Sequence, residues 1–151
     1  MEENQKIHII SLDFEENKKI EKIIKKTKEE IIAIALIDET IVENIAEIFS
    51  ERGWLGVGQL DTIKEVARKK ALRKSNEWVK YIQTIANKIN IPIQTVVLKQ
   101  HLKEYLEEIR KTHPKKIIFS FKKGLNPTYD NSKYLIREQC KKLRINYEIM
   151  R

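Results

Sequence analysis

The groups in this 151-residue chain that could do chemistry are few and widely spaced. Its three histidines, His8, His101 and His113, form no HExxH motif and no paired-ligand spacing, so no metal is expected. The single cysteine, Cys140, excludes an internal disulfide and a cysteine-cluster zinc site. It lies four residues after Ile136 and three before Leu143, on an apolar helical stripe, and reads as a buried, inert thiol. His101 opens a helical segment and reads as a surface or capping residue. No Ser–His–Asp set or pair of carboxylates emerges, so no enzyme is expected. Binding chemistry is better represented. Asp13 ends an isoleucine-rich run, where it either faces a ligand or caps the segment that follows. Lys122, Lys123 and Gly124 follow another such run, as an anion site or a solvated basic loop. Arg68, Lys69, Lys70, Arg73 and Lys74 are dense enough to neutralise nucleic-acid phosphates, or simply to solvate a helix face, where Glu65 can pair with Lys69. Aromatic residues for base stacking are missing from that stretch. Trp54, Leu55 and Val57 sit among three of the four glycines, as an interaction loop with hinges or as a cover over the core.

Alternating strands and helices must position these groups. Ile7 to Asp13 is a β-branched run that reads as a buried strand. Residues 15–30 place Ile20, Ile23 and Ile24 on one helical face and lysines on the other. Ile31 to Ile37 is apolar throughout, as in strands of parallel sheets covered on both faces. Thr40, with Glu43 three residues on, predicts a capping box for a helix that Gly53 stops. The longest helix is expected over residues 61–90, ending ahead of Pro92. A strand over Ile93–Leu98, a helix over Leu102–Thr112 and a strand over Lys116–Phe121 follow. After a loop, Ser132 is expected to cap a helix through Leu143, and Ile145–Met150 forms the last strand. This order predicts an α/β chain with right-handed parallel crossovers: a three-layer α/β/α sandwich around five parallel strands. It has one domain over residues 1–151 and an extra helix after the second strand.

Several segments carry a resemblance. Ile10-Ser-Leu-Asp13, Leu36-Ile-Asp38, Asn90-Ile-Pro-Ile-Gln94 and Leu98-Lys-Gln-His-Leu-Lys-Glu-Tyr-Leu106 are similar to successive strand ends and turns of the universal stress protein family, a Rossmann-like group of adenine-nucleotide folds. The resemblance implies a sheet order 3-2-1-4-5 and a regulatory module rather than an enzyme. It also implies ATP or ADP with magnesium as the first candidate ligand, Asp13 and the Asp38 backbone lying by the base and Lys123, Gly124 and Ser132 near the phosphates. The family's phosphate signature, Gly-x2-Gly-x9-Gly-Ser/Thr, is degenerate here. Phe121 stands at its first glycine, Gly124 at its second, and the closing Gly-Ser is missing, with Asn131-Ser132 nearby. The Gly-Ser after the first aspartate is replaced by Phe14-Glu15. Glycine allows a backbone to approach phosphate closely, so a phenylalanine is expected to crowd that approach. Members of the family commonly dimerise through the last strand. Here its Ile145, Tyr147 and Ile149 alternate with polar residues, and a homodimer is expected. A nucleotide-free scaffold acting through a protein partner is the alternative reading, and an electrostatic nucleic-acid binder a third.

Composition sets the outer limits. Hydrophobic residues at 41% are enough for a core and exclude the disordered class. The longest apolar run is far shorter than the roughly 18 residues a membrane span needs, so no membrane partner is expected. The polar, acidic start does not read as a secretory signal, which makes the cytoplasm the expected location. The net charge of +8 is divided unevenly: residues 1–63 are acidic and residues 64–151 strongly basic, which suits an electropositive face. Heavy Lys and Glu use is a thermophile-like signal, which an AT-rich genome would reproduce.

Overall fold

Isoleucine-rich runs become strands wherever they can be buried on both sides, and that fixes the centre of this molecule. A computed structural model describes residues 6–51, 59–124 and 126–151. The strands are β1 (Ile7–Ser11), β2 (Ile31–Asp38), β3 (Gln94–Gln100), β4 (Lys116–Ser120) and β5 (Tyr147–Met150). The helices are α1 (Lys18–Lys26), α2 (Glu39–Glu51), α3 (Gln59–Lys88), α4 (Leu102–Arg110) and α5 (Asp130–Leu143), with a 3-10 turn at Pro127–Tyr129. The sheet is parallel throughout in the order β3-β2-β1-β4-β5, as the resemblance implied. In β1, Ile7 pairs with Ile31 of β2 on one side and Lys116 of β4 on the other.

The period-two alternation of β1 sends Ile10 to one face and Ile9 to the other. Ile10 joins a core with Leu36, Phe119 and residues of α4 and α5, including Leu106, Ile136 and Cys140. Ile9 joins a second core with Ile20 and Ile24 of α1 and Trp78, Ile82 and Ile85 of α3. The two cores make the three layers. Cys140 is fully buried, and burial pushes its thiol up to about 11, as an inert role requires.

The structure corrects several boundaries. The first helix starts at Lys18, because Asn17 and not a residue near Glu15 caps it by accepting from the Lys19 N–H at 2.9 Å. Thr40 does not cap α2: the Thr40 N–H instead donates to Asp38 Oδ1 at 3.0 Å. Ser132 lies inside the first turn of α5, which starts two residues earlier behind the 3-10 turn. The longest helix is shifted to 59–88, and β1, β4 and β5 are each shorter than expected. The expected interaction loop at Trp54, Leu55 and Val57 lies outside the described residues.

Candidate ligand site

Asp13 is placed by the turn that follows β1. Its side chain is buried, and three donors occupy it: Ser11 Oγ at 3.3 Å and the Glu15 N–H at 3.2 Å on Oδ1, and the Lys122 N–H at 2.7 Å on Oδ2. Asp13 therefore ties the end of β1 to the loop after β4. It does not cap α1. Phe14 next to it adopts φ 57°, the left-handed region where glycine is at ease and a bulky residue is strained. Ser11 Oγ holds that turn by accepting from the Phe14 N–H at 3.0 Å.

Asp38 does the equivalent work one strand over. Its Oδ1 accepts from Thr40 at the start of α2 and from the Leu102 N–H at 3.2 Å, the start of α4. Burial raises its pKa, and those N–H groups pull it back. His101 occupies the N-cap position of α4 without a capping bond; its ring faces Glu43 on α2 at 2.8 Å, which raises its pKa. α2 is clamped to α3 by Arg68, whose Nε and Nη2 reach the Glu39 carboxylate at 3.2–3.3 Å.

Between the sheet and this helix pair lies a cavity of about 460 Å³. Leu12, Ile37, Val42, Ile45, Ile63 and Ala71 give it an apolar wall. Asp13, Asp38, Lys70 and Lys74 supply its polar groups. A second cavity of about 270 Å³ adjoins it over the β4 loop and has the opposite character. Lys74, Lys122, Lys123 and Lys133 surround it, with Asp13 and Glu15 as its acidic residues. Asp13, Lys74 and Tyr129 belong to both chambers. Lys74 is paired with Glu15 at 3.2 Å. Tyr129 packs on Phe121 with ring centroids 5.9 Å apart; burial, then Asp13 and Glu15, push its hydroxyl up to about 12. Both chambers open at the carboxyl ends of β1, β2 and β4, where ligands of open α/β sheets bind.

The comparisons agree with this architecture. The universal stress protein UspA from Lactobacillus plantarum superposes with a TM-score of 0.61 at 12% identity, over 97% of each chain. The chain has the universal stress protein fold. Two further structures with that fold match at a TM-score of 0.54 over 96% of this chain and 94% of theirs: the hypothetical proteins MJ0577, at 16% identity, and PH0823, at 17%. No family model and no curated protein sequence matches.

On the universal stress protein fold, the expected site residues separate. Asp38 lines the apolar chamber, Lys123 and Gly124 the basic one and Asp13 both, whereas Ser132 is buried and lines neither. Gly124 is required by its backbone, at φ +117°, rather than by crowding, since a Cβ there would meet nothing within 4 Å. Phe121, at the position of the signature's first glycine, is buried and lines the basic chamber. The basic cluster on α3 divides, with Arg68 and Lys74 in ion pairs, Lys70 at the apolar chamber, and Lys69 and Arg73 exposed. Sequence reasoning passed over Asn17, whose Nδ2 donates to the carbonyls of Phe121 and Met150 at 3.2 and 3.3 Å. It also passed over Tyr129 and Lys133. Among the described residues no three His, Cys, Asp or Glu side chains group as a metal site would require, and no helix is long and apolar enough to cross a membrane.

Proposed function

We propose that this protein is a non-enzymatic, cytoplasmic binding module for an anionic ligand with a compact apolar body, and that an adenine nucleotide, ATP or ADP, is that ligand. The observation that carries this reading is the pair of adjoining chambers, one apolar and one lysine-rich, joined through Asp13, Lys74 and Tyr129. The volumes suit a base and sugar in the first and phosphates in the second. A catalytic role finds no support in the groups nearby. Both Asp13 oxygens are engaged by donors and Glu15 is ion-paired, so neither carboxylate is poised as a base.

The module works as a homodimer joined through β5. That strand is an edge of the sheet. The Asn146 and Met150 carbonyls accept from Ile117 of β4 and from Phe121 just after it, so by alternation Tyr147 and Ile149 turn their backbone groups outward, available to a second copy.

The test is the nucleotide content of freshly purified protein, released by denaturation and resolved by ion-exchange chromatography. An adenine nucleotide at near-stoichiometric yield, or a rise in melting temperature on adding ATP or ADP, is expected. Empty protein with no melting shift refutes the reading and favours a scaffold that acts through a protein partner.

A further inference from the structure

Four lysines surround the basic chamber, and one differs from the rest. Lys122 and Lys123 are exposed, and Lys74 is neutralised by Glu15. Lys133 is only 6% exposed. Its Nζ sits 5.1 Å from the centroid of the Phe121 ring, within reach of a cation–π contact. Among the described residues it forms no salt bridge. Two physical costs fall on it. An ammonium on so enclosed a side chain has only the chamber to hydrate it, and an anion there would replace that water with a charged partner. A cation in the first turn of α5 also faces the positive end of the helix dipole. The ring offsets part of the first cost and none of the second. An anion in the chamber would offset both.

The donor set does not suit a magnesium ion. Mg²⁺ keeps several waters and is usually bound through one or two carboxylates together with substrate phosphate oxygens. The two carboxylates of this chamber are committed, Asp13 to three donors and Glu15 to Lys74. The lining holds four lysines against those two acids, an excess that itself neutralises a phosphate group.

We infer that the basic chamber is a metal-free phosphate site centred on Lys133, in which this lysine, resting on Phe121, does the work of a glycine-rich phosphate loop. The inference rests on the anion-binding reading above and adds which residue anchors the anion and that no metal accompanies it. Lys133 thus sets specificity for a free phosphate or diphosphate group over its magnesium complex.

Calorimetric titration of the full chain with pyrophosphate, ADP and adenosine, in EDTA and in excess magnesium, tests it. Pyrophosphate and ADP are expected to bind in EDTA at least as tightly as with magnesium. Lys133→Met should weaken both by about tenfold or more, the scale of losing a hydrogen bond between charged partners. It should leave adenosine binding unchanged and raise the melting temperature of the ligand-free protein, because a buried cation is removed. Lys133→Arg should retain most of the affinity, and Lys123→Met should cost no more than about threefold, as for an exposed charge. A requirement for magnesium, or equal losses from Lys133→Met and Lys123→Met, overturns the inference and leaves the nucleotide reading standing. Adenosine binding without pyrophosphate binding does the same. Binding of none of the three ligands overturns both.

Discussion

Replacing Asp13 by Asn tests whether this residue builds the site or touches the ligand. The carboxylate offers two acceptor oxygens to three donors and is 5% exposed. Asparagine offers one. With its oxygen left on the Ser11 and Glu15 side, its amide meets the Lys122 N–H, donor against donor, where the native bond is 2.7 Å. With the amide turned round, the Lys122 bond survives and the Glu15 N–H loses its acceptor. Either orientation forfeits a bond to a charged group, worth about 1.5–3 kcal/mol. In a chain of this size that corresponds to a fall in melting temperature of very roughly 5–10 °C. Urea unfolding at neutral pH, without any ligand, measures it, and the slope with denaturant should be unchanged. A loss below about 0.5 kcal/mol, the usual scale of an inconsequential surface change, would refute the staple role and return Asp13 to the ligand. If the staple role holds, Asp13→Ala also weakens nucleotide binding, through displacement of the Lys122 loop.

Three further outcomes follow from the same geometry. Burial, then Lys6, push His8 down to about 4. Between its ordinary pKa near 6.5 and that value the unfolded chain takes up a proton that the native chain refuses, so stability falls as the pH drops through this window. His8→Leu should remove that dependence, and the difference between the two proteins should grow by roughly 3 kcal/mol from pH 7 to pH 4 in urea titrations; parallel curves would refute it. Ala71→Leu projects into the apolar chamber and should weaken ADP binding by about tenfold while leaving pyrophosphate binding intact, with equal effects on both counting against the two-chamber arrangement. Light scattering at micromolar concentration should give the mass of a dimer, and a monomer would refute pairing through β5.

The sheet was legible in the sequence for a physical reason. A strand buried on both faces has to be apolar without interruption, and Ile31 to Ile37 is; β2 accordingly runs there with seven of its eight residues buried. Helix starts were less legible, because a cap is chosen by the tertiary structure. Thr40 and Glu43 satisfy the local pattern of a capping box, yet Asp38 wins because the same oxygen also serves Leu102, 64 residues away in the chain. Local spacing cannot report such a partner. Phe14 shows the converse. Its left-handed backbone is the conformation a glycine would adopt freely, so the fold kept the turn and accepted strain in exchange for a ring lining the apolar chamber.

Lys133 was legible in principle. It lies three residues before Ile136 and seven before Cys140, on the stripe of α5 that faces the core. A charge on an apolar stripe conflicts with local pattern, and such conflicts concentrate where a protein gives up stability for function. Here the conflict falls at the first turn of a helix, beside the carboxyl ends of the strands, over an aromatic ring and next to a loop held by Asp13. The one structural gain a lysine has there over a methionine is the cation–π contact with Phe121. The unliganded stability of Lys133→Met therefore separates the two cases: a rise means that the native protein carries the buried cation for an anion, and a fall means that the cation–π contact with Phe121 is its purpose.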